Sequence, residues 1–81
     1  MLELEKMVFN GQTEMNWQNY IRSDPNILVG QPVVRGTRLA VDFLLSLYGA
    51  GWTETQILDN YLTLTREALQ AVHAYAADRV Q

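Results

Sequence analysis

The sequence predicts a mainly α protein in which a three-helix bundle follows a short β region. From Val41 onward, apolar residues recur at spacings of three and four, the period of helices that pack on one another. Gly49, Gly51 and Thr65 interrupt that pattern at two points. Before residue 41, short β-prone runs alternate with Gly and Pro, as in strands joined by turns. A chain of 81 residues is long enough for one small domain of this kind.

The composition argues against several classes of function. The chain has no cysteine and a single histidine, His73, so we expect no disulfide, no thiolate metal site and no catalytic Ser-His-Asp or Cys-His set. The longest apolar run, residues 39–48, is broken by Asp42 and is too short to span a bilayer. Residues 1–5 carry acids where a signal peptide needs bases. We therefore expect a cytoplasmic protein that is not an enzyme, with no cofactor, metal, membrane association or small-molecule substrate.

Residues 1–15 are interpreted as an N-terminal extension to a single domain at 16–81. Leu2 and Leu4 follow the two-residue period of a strand, and the Asn-Gly pair that follows is a frequent hairpin turn. The extension is thus predicted to contain a strand or hairpin.

Short β elements are predicted between residues 20 and 41. An Asp-Pro pair near their start favours a type I turn. Residues 32–34 and 39–41 are β-prone runs that flank residues 35–38, and Gly36 can adopt the positive φ that a tight connection requires. The leading interpretation is a hairpin, with these structural turn residues: Gly30, Pro32, Gly36 and Thr37.

Three helices are predicted at about residues 42–50, 54–61 and 65–80. The first is apolar over most of its circumference, so we expect it to be buried on more than one side. Gly51 is expected to end it in the left-handed conformation. The last two helices and their short connection have the proportions of a helix-turn-helix.

The starts of the second and third helices carry capping signals. Thr53 and Gln56 have the spacing of a capping box, and Thr63 or Thr65 caps the third helix. The predicted inward stripe of the third helix consists of Leu69, Val72, Ala76 and Val80.

The run Gly-Gln-Pro-Val-Val-Arg-Gly-Thr-Arg at residues 30–38 has three interpretations: a phosphate cradle, a display of arginines to a nucleic acid, or a tight hairpin. It lacks both the GxGxxG spacing and the Gly-Lys-Ser/Thr ending of phosphate-binding loops, so a turn is favoured. Arg22, Arg35 and Arg38 nevertheless concentrate positive charge here in a chain of net charge −3. Any contact with phosphate is expected near this run; the alternative is that these are scattered surface arginines.

The third helix offers polar residues that a DNA-reading helix would use. Acidic neighbours and five alanines favour the alternative, a structural or interface element in which the alanines permit close approach in a dimer or complex. The candidate DNA- or partner-binding residues of the chain are Arg35, Arg38, Arg66, Gln70 and His73.

From about Asn16 to Val80, the chain resembles the bacterial and archaeal domain-of-unknown-function family 433. The matching features are the Asp-Pro turn, the Gly-x-Pro-Val-x-x-Gly-Thr-Arg run, the Gly-Trp-Thr start of the second helix and the Ala-Tyr-Ala end of the third. The chain departs from the family pattern at Ala40 and Leu62, where proline is common. Both departures concern turn geometry.

The resemblance implies a homeodomain-like helix-turn-helix domain that acts as the antitoxin of a PIN-like ribonuclease toxin. We therefore expect a small antitoxin-like protein that binds and neutralises such a toxin, and that is a candidate for binding its own operator DNA. The alternative is a protein-interaction or dimerisation module without nucleic-acid binding. An operator binder should gather Arg35, Arg38 and Arg66 on one surface, whereas an interaction module can scatter them.

A homodimer is also expected. The first helix carries more apolar surface than two small neighbours can cover. Phe9, Met15 and Trp17 are expected to add to that self-association surface.

Overall fold

The computed structural model describes residues 15–79. In this part of the chain two short strands precede three helices: β1 (Ile21–Arg22), β2 (Val33–Val34), α1 (Val41–Gly49), α2 (Glu54–Asn60) and α3 (Arg66–Arg79). This is the predicted mainly α fold with a short β region before the helices. Apart from Met15, the predicted N-terminal extension and its strand lie outside the described residues.

The strands β1 and β2 form an antiparallel pair in which Ile21 lies opposite Val34. The sequence predicted that β2 pairs with residues 39–41, but that pairing is limited to a single bridge between Val33 and Ala40. The reason is that α1 begins directly after Ala40, so the backbone that would extend the second arm is helical. β1 lies within the predicted β range of residues 20–41, but its two residues were not identified as the partner of β2, because two residues are too few to show an alternating pattern.

The connection between the strands contains a four-residue turn at the predicted Asp-Pro pair, residues 24–27. The Ile27 backbone N–H donates to the Asp24 carbonyl at 2.8 Å, and Pro25 occupies the second position, for which its fixed φ is suited. The Asp24 carboxylate also accepts the Asn26 N–H at 2.9 Å. The start of this connection is therefore held by Asp24.

Helix α1 is apolar around most of its circumference but is fully buried only at Val41 and Leu44. Phe43 is 40% exposed, so the expectation that α1 is buried on more than one side is wrong for the side that carries Phe43. Gly51 follows the helix with φ of +95°, the predicted left-handed ending.

Threonine caps begin α2 and α3. Thr53 and Gln56 form the predicted capping box: the Thr53 hydroxyl accepts the Gln56 N–H at 3.1 Å, and the Gln56 side-chain oxygen accepts the Thr53 N–H at 2.8 Å. Of the two threonines predicted to cap the third helix, Thr65 does so, since its hydroxyl accepts the Ala68 N–H at 3.1 Å. These bonds satisfy donors that a first helical turn leaves without an intrahelical partner.

The inward face of α3 differs from the predicted stripe in one turn. Leu69 and Val72 are fully buried as predicted, but Ala76 is only partly buried and Tyr75 takes the inward position. Val80 lies outside the described residues. The complete buried set of α3 is Ala68, Leu69, Ala71, Val72 and Tyr75. The two buried alanines pack within this chain, which corrects the expectation that they serve a dimer or complex.

The segment before β1 closes over the C-terminal half of α3. It forms a 3-10 turn, Trp17–Asn19, whose Trp17 ring meets the Tyr75 ring edge-on with centroids 4.7 Å apart. The Trp17 indole N–H donates to the Asp78 carboxylate, and Met15 packs against the core. Trp17 and Met15, which were expected to add to a self-association surface, pack within the chain and are partly buried.

None of the helices formed by residues 15–79 combines the length and the apolar character needed to cross a bilayer.

Candidate partner-binding site

The turn that follows β2 is closed by Thr37. Its backbone N–H and its hydroxyl both donate to the Val34 carbonyl, at 3.0 and 2.8 Å, and its hydroxyl accepts the Leu39 N–H at 3.0 Å. Gly36 has φ of +80°, which glycine adopts without a steric penalty. Gly36 and Thr37 therefore set the shape of this turn, in the roles that the sequence predicts for them.

The other two predicted turn residues lie before β2. Gly30 has φ of +84° and ends a second 3-10 turn, Leu28–Gly30. The Pro32 carbonyl accepts the Val41 N–H at 2.9 Å. Pro32 thus joins the start of β2 to the start of α1, and it is not part of the turn that Thr37 closes.

Arg35 and Arg38 both occupy exposed positions of the turn after β2, but their surroundings differ. The Arg35 guanidinium donates to the Gln18 carbonyl through Nε and Nη2, at 3.3 and 3.2 Å. Its backbone N–H donates to the Tyr20 carbonyl at 2.7 Å. Arg35 therefore ties the turn to the N-terminal segment. Arg38 makes no hydrogen bond or ion pair with any other residue of the range 15–79.

The three candidate residues of α3 share its outward face but are not equally available. Arg66 Nε lies 3.5 Å from Glu54 Oε1, so its charge is partly neutralised from α2. The His73 ring lies against the Tyr48 ring of α1, with centroids 4.4 Å apart. Gln70 is exposed between them. Two of the three candidate residues of α3, Arg66 and His73, thus contact side chains of neighbouring helices.

The Tyr48 phenol, whose ring lies against His73, is uncharged at neutral pH. Partial burial raises the pKa of the Tyr48 phenol above its ordinary value of 10.0, and the nearby Glu54 carboxylate raises this pKa further. Tyr48 therefore adds no charge to the outward face of α3.

Arg35 and Arg66 lie beside different parts of α3. Arg35 binds Gln18, the residue after Trp17, and Trp17 packs on Tyr75 in the C-terminal half of α3. Arg66 is the first residue of α3, nine positions before Tyr75, which corresponds to about 14 Å along the helix axis.

One exposed residue, Val29, was not among the candidate residues predicted from the sequence. Its side chain is 94% exposed, and its backbone is left-handed, with φ of 56° and ψ of 37°. The available signal was an apolar Leu-Val pair placed directly before a turn glycine, in a position where polar residues are usual.

Within residues 15–79, no group of three or more His, Asp or Glu side chains is placed to hold a metal ion. What this region does present is a rigid turn with an exposed guanidinium. A guanidinium binds carboxylates or phosphates through paired N–H donors.

Comparisons with known proteins assign the chain to a family. A sequence model described as "Protein of unknown function (DUF433)" matches residues 21–76. The crystal structure of a DUF433 member protein from Anabaena variabilis ATCC 29413 is similar, with a TM-score of 0.73 and 31% identity, over 95% of this chain and 74% of that chain. No curated protein matches the chain. The chain belongs to the DUF433 family.

Proposed function

We propose that this chain is an antitoxin-like protein that binds and neutralises a PIN-like toxin through the turn after β2. The observation that carries the proposal is the placement of Arg38. It lies in a turn fixed by Gly36 and Thr37, and its guanidinium is exposed without a partner among the other residues of the range 15–79. The other arginines of that range are engaged by Asp24, the Gln18 carbonyl, Glu54 and the Tyr75 hydroxyl.

A rigid turn is a favourable place for a binding arginine. Ordering a long side chain on binding costs conformational entropy, and a backbone already held by Thr37 adds little to that cost. A carboxylate of the toxin can accept two N–H donors of Arg38 in parallel. The proposed contact is therefore between Arg38 and an acidic group on the toxin.

Binding of operator DNA has less support than binding of a protein. The arginines are scattered, Arg66 is paired with Glu54 and His73 lies on Tyr48, so the outward face of α3 offers few free donors to base edges. The net charge of −3 also opposes attraction to phosphates. This pattern favours a protein-interaction module over an operator-binding protein.

Self-association is the second candidate, and one observation favours it. Phe43 is 40% exposed and meets the Tyr61 ring edge-on with centroids 5.8 Å apart, while Leu62 is 85% exposed. Apolar groups that remain in water on a small domain are candidates for a homodimer interface. Light scattering at micromolar concentration tests this, because a monomer there would rule out a stable dimer.

The antitoxin proposal is tested by co-expressing the chain with the product of the neighbouring gene, which the proposal predicts to be a PIN-like protein. We expect the wild-type chain to co-purify with it and to inhibit its ribonuclease activity, and Arg38→Glu to lose both properties. Arg66→Ala is the matched control, because it removes an exposed arginine that already has an acidic partner. It should leave co-purification unchanged.

Two other results would overturn the proposal. One is a wild-type chain that does not co-purify with the PIN-like protein. The other is an Arg38→Glu variant that retains the toxin but binds the DNA upstream of its own gene less well than wild type. In that case Arg38 contacts a phosphate, and Arg38→Ala should flatten the slope of log affinity against log salt by about one unit.

A further inference from the structure

Residues 15–19 form a short segment that is attached to α3 through the side chain of Trp17. The Trp17 ring meets the Tyr75 ring edge-on with centroids 4.7 Å apart, and its indole N–H donates to the Asp78 carboxylate. Met15 is partly buried, and no residue of the segment is fully buried. One side chain therefore makes both the aromatic contact and the hydrogen bond to α3.

The same segment occupies the guanidinium of Arg35. The Gln18 carbonyl accepts Arg35 Nε and Nη2 at 3.3 and 3.2 Å. Gln18 follows Trp17 directly, and the two share the 3-10 turn Trp17–Asn19, at whose start the Asn16 side chain accepts the Gln18 N–H at 3.2 Å. A displacement of Trp17 from α3 therefore moves the Gln18 carbonyl away from Arg35.

The bond between Arg35 and Gln18 is replaceable. Its two distances are longer than the usual 2.9–3.0 Å of an N–H···O bond, and its acceptor is a neutral carbonyl. A carboxylate or phosphate accepts a guanidinium N–H about twice as strongly. The guanidinium also has further N–H donors beyond the two that Gln18 accepts. Arg35 thus has the chemistry to bind an anionic group once Gln18 has moved.

The chain that follows the segment is fixed independently of α3. Ile21 is fully buried and lies opposite Val34 in the sheet, and the Tyr20 carbonyl accepts the Arg35 backbone N–H at 2.7 Å. Segments without fully buried side chains open at a lower free energy than the core. Residues 15–19 can therefore leave α3 while the backbone of Arg35 stays in place.

We infer that residues 15–19 are a strap, fastened to α3 by Trp17, that keeps the Arg35 guanidinium from binding a partner. With the strap closed, the turn after β2 presents only the guanidinium of Arg38. With the strap released, it presents a second guanidinium, which binds a carboxylate or a phosphate through paired N–H donors. The strap therefore regulates the binding capacity of this turn, and it does so whatever the partner is.

The test is modification by phenylglyoxal, which reacts with accessible guanidiniums, with the rate at each arginine measured by mass spectrometry of peptides. In the wild-type chain we expect Arg35 to react about tenfold more slowly than Arg38, as a charged group held by hydrogen bonds should. Trp17→Ala should bring the Arg35 rate to within about twofold of the Arg38 rate, because the strap then opens. Asp78→Ala removes only the acceptor of the indole N–H and should raise the Arg35 rate about fivefold.

Arg22 is the internal control, because it lies in β1 and its Nε is buried. Its rate should stay unchanged when only the strap opens. If Trp17→Ala raises the Arg22 rate as well, the variant has lost more than the strap, and the milder Asp78→Ala decides.

Three results would overturn the inference. Equal rates at Arg35 and Arg38 in the wild-type chain would show that Gln18 does not protect Arg35. An unchanged Arg35 rate in the deciding variant would show that Trp17 does not fasten the strap. An Arg22 rate that rises with the Arg35 rate in Asp78→Ala would show that the sheet opens together with residues 15–19. The antitoxin proposal is independent of all three, because no toxin takes part in the measurement.

Discussion

The two turns that flank β2 reverse or bend the same short stretch of chain, but they use different residues to do so. The turn after β2 places glycine at its positive φ, at Gly36, and the Thr37 hydroxyl donates one hydrogen bond and accepts another. The turn before β2 places Leu28 and Val29 at positive φ and has no side-chain cap. In the first turn the residues suit the backbone, and in the second they oppose it.

This difference separates residues that the local geometry explains from residues that it does not explain. Natural sequences are mostly consistent between local preference and final structure, and exceptions concentrate at functional sites. Gly36 and Thr37 are explained completely by the geometry of their turn. Leu28 and Val29 are not, so their side chains require an explanation outside the fold. The comparison therefore predicts opposite responses to substitution at the two turns.

The largest expected effect is at Gly36. A Cβ at this position meets nothing within 4 Å, so Gly36→Val tests backbone conformation without a steric clash against neighbours. We expect a loss of about 1–2 kcal/mol in the free energy of unfolding, because valine strongly disfavours φ of +80°. Thermal or denaturant unfolding measures this loss, and an unchanged midpoint would contradict the assigned geometry of the turn.

Gly49→Ala is the control for Gly36→Val. Gly49 is the last residue of α1, and a Cβ there also meets nothing within 4 Å. Since its φ is not positive, alanine should be neutral or should stabilise the chain by up to about 1 kcal/mol. Equal losses at both glycines would mean that the Gly36 effect does not come from its positive φ.

A smaller effect is expected at Thr37. Thr37→Ala removes the hydroxyl that donates to the Val34 carbonyl and accepts the Leu39 N–H. The expected loss is about 1 kcal/mol, the usual net contribution of such hydrogen bonds to stability. Thr37→Ser keeps the hydroxyl and should retain most of the stability. If serine and alanine destabilise the chain equally, the hydroxyl bonds do not hold the turn.

The sequence predicted the elements whose signals are local and strong. The capping box of Thr53 and Gln56, the Asp-Pro turn and the helical period of α3 each depend on residues close together in the chain. Gly36 and Gly51 were placed at positive φ because few other residues suit such turns. These features require no knowledge of distant contacts.

Features that depend on distant contacts were missed or wrong. β1 is too short to show a pattern, and its partner in the sheet is β2, across a ten-residue connection. Tyr75 replaces Ala76 on the inward face of α3 because Trp17, far away in the sequence, packs on it. Arg35 donates to the Gln18 carbonyl, and Arg66 lies beside Glu54. Sequence patterns could not predict either contact.

For the candidate site, the sequence selected both arginines of the turn after β2 but could not distinguish their surroundings. Arg35 and Arg38 have the same side chain and lie in the same turn, so only the structure distinguishes a guanidinium bound to a backbone carbonyl from an exposed one. Val29 was missed for the opposite reason. Local preference assigns valine to a strand, and it gives no signal for a left-handed valine.

The smallest expected effect is at Val29, where a substitution should raise the free energy of unfolding and not lower it. Asparagine tolerates the left-handed region better than valine, and a side chain that is 94% exposed has almost no packing to lose. Val29→Asn should therefore raise the free energy of unfolding by about 0.5 kcal/mol, whereas Gly36→Asn should lower it, by less than Gly36→Val. Denaturant unfolding of the two asparagine variants beside wild type measures both changes. Val29→Ile serves as the control, because it keeps the β-branched strain and should gain nothing. If Val29→Asn destabilises the chain, the valine contributes to the fold, and the contrast between the two turns is wrong.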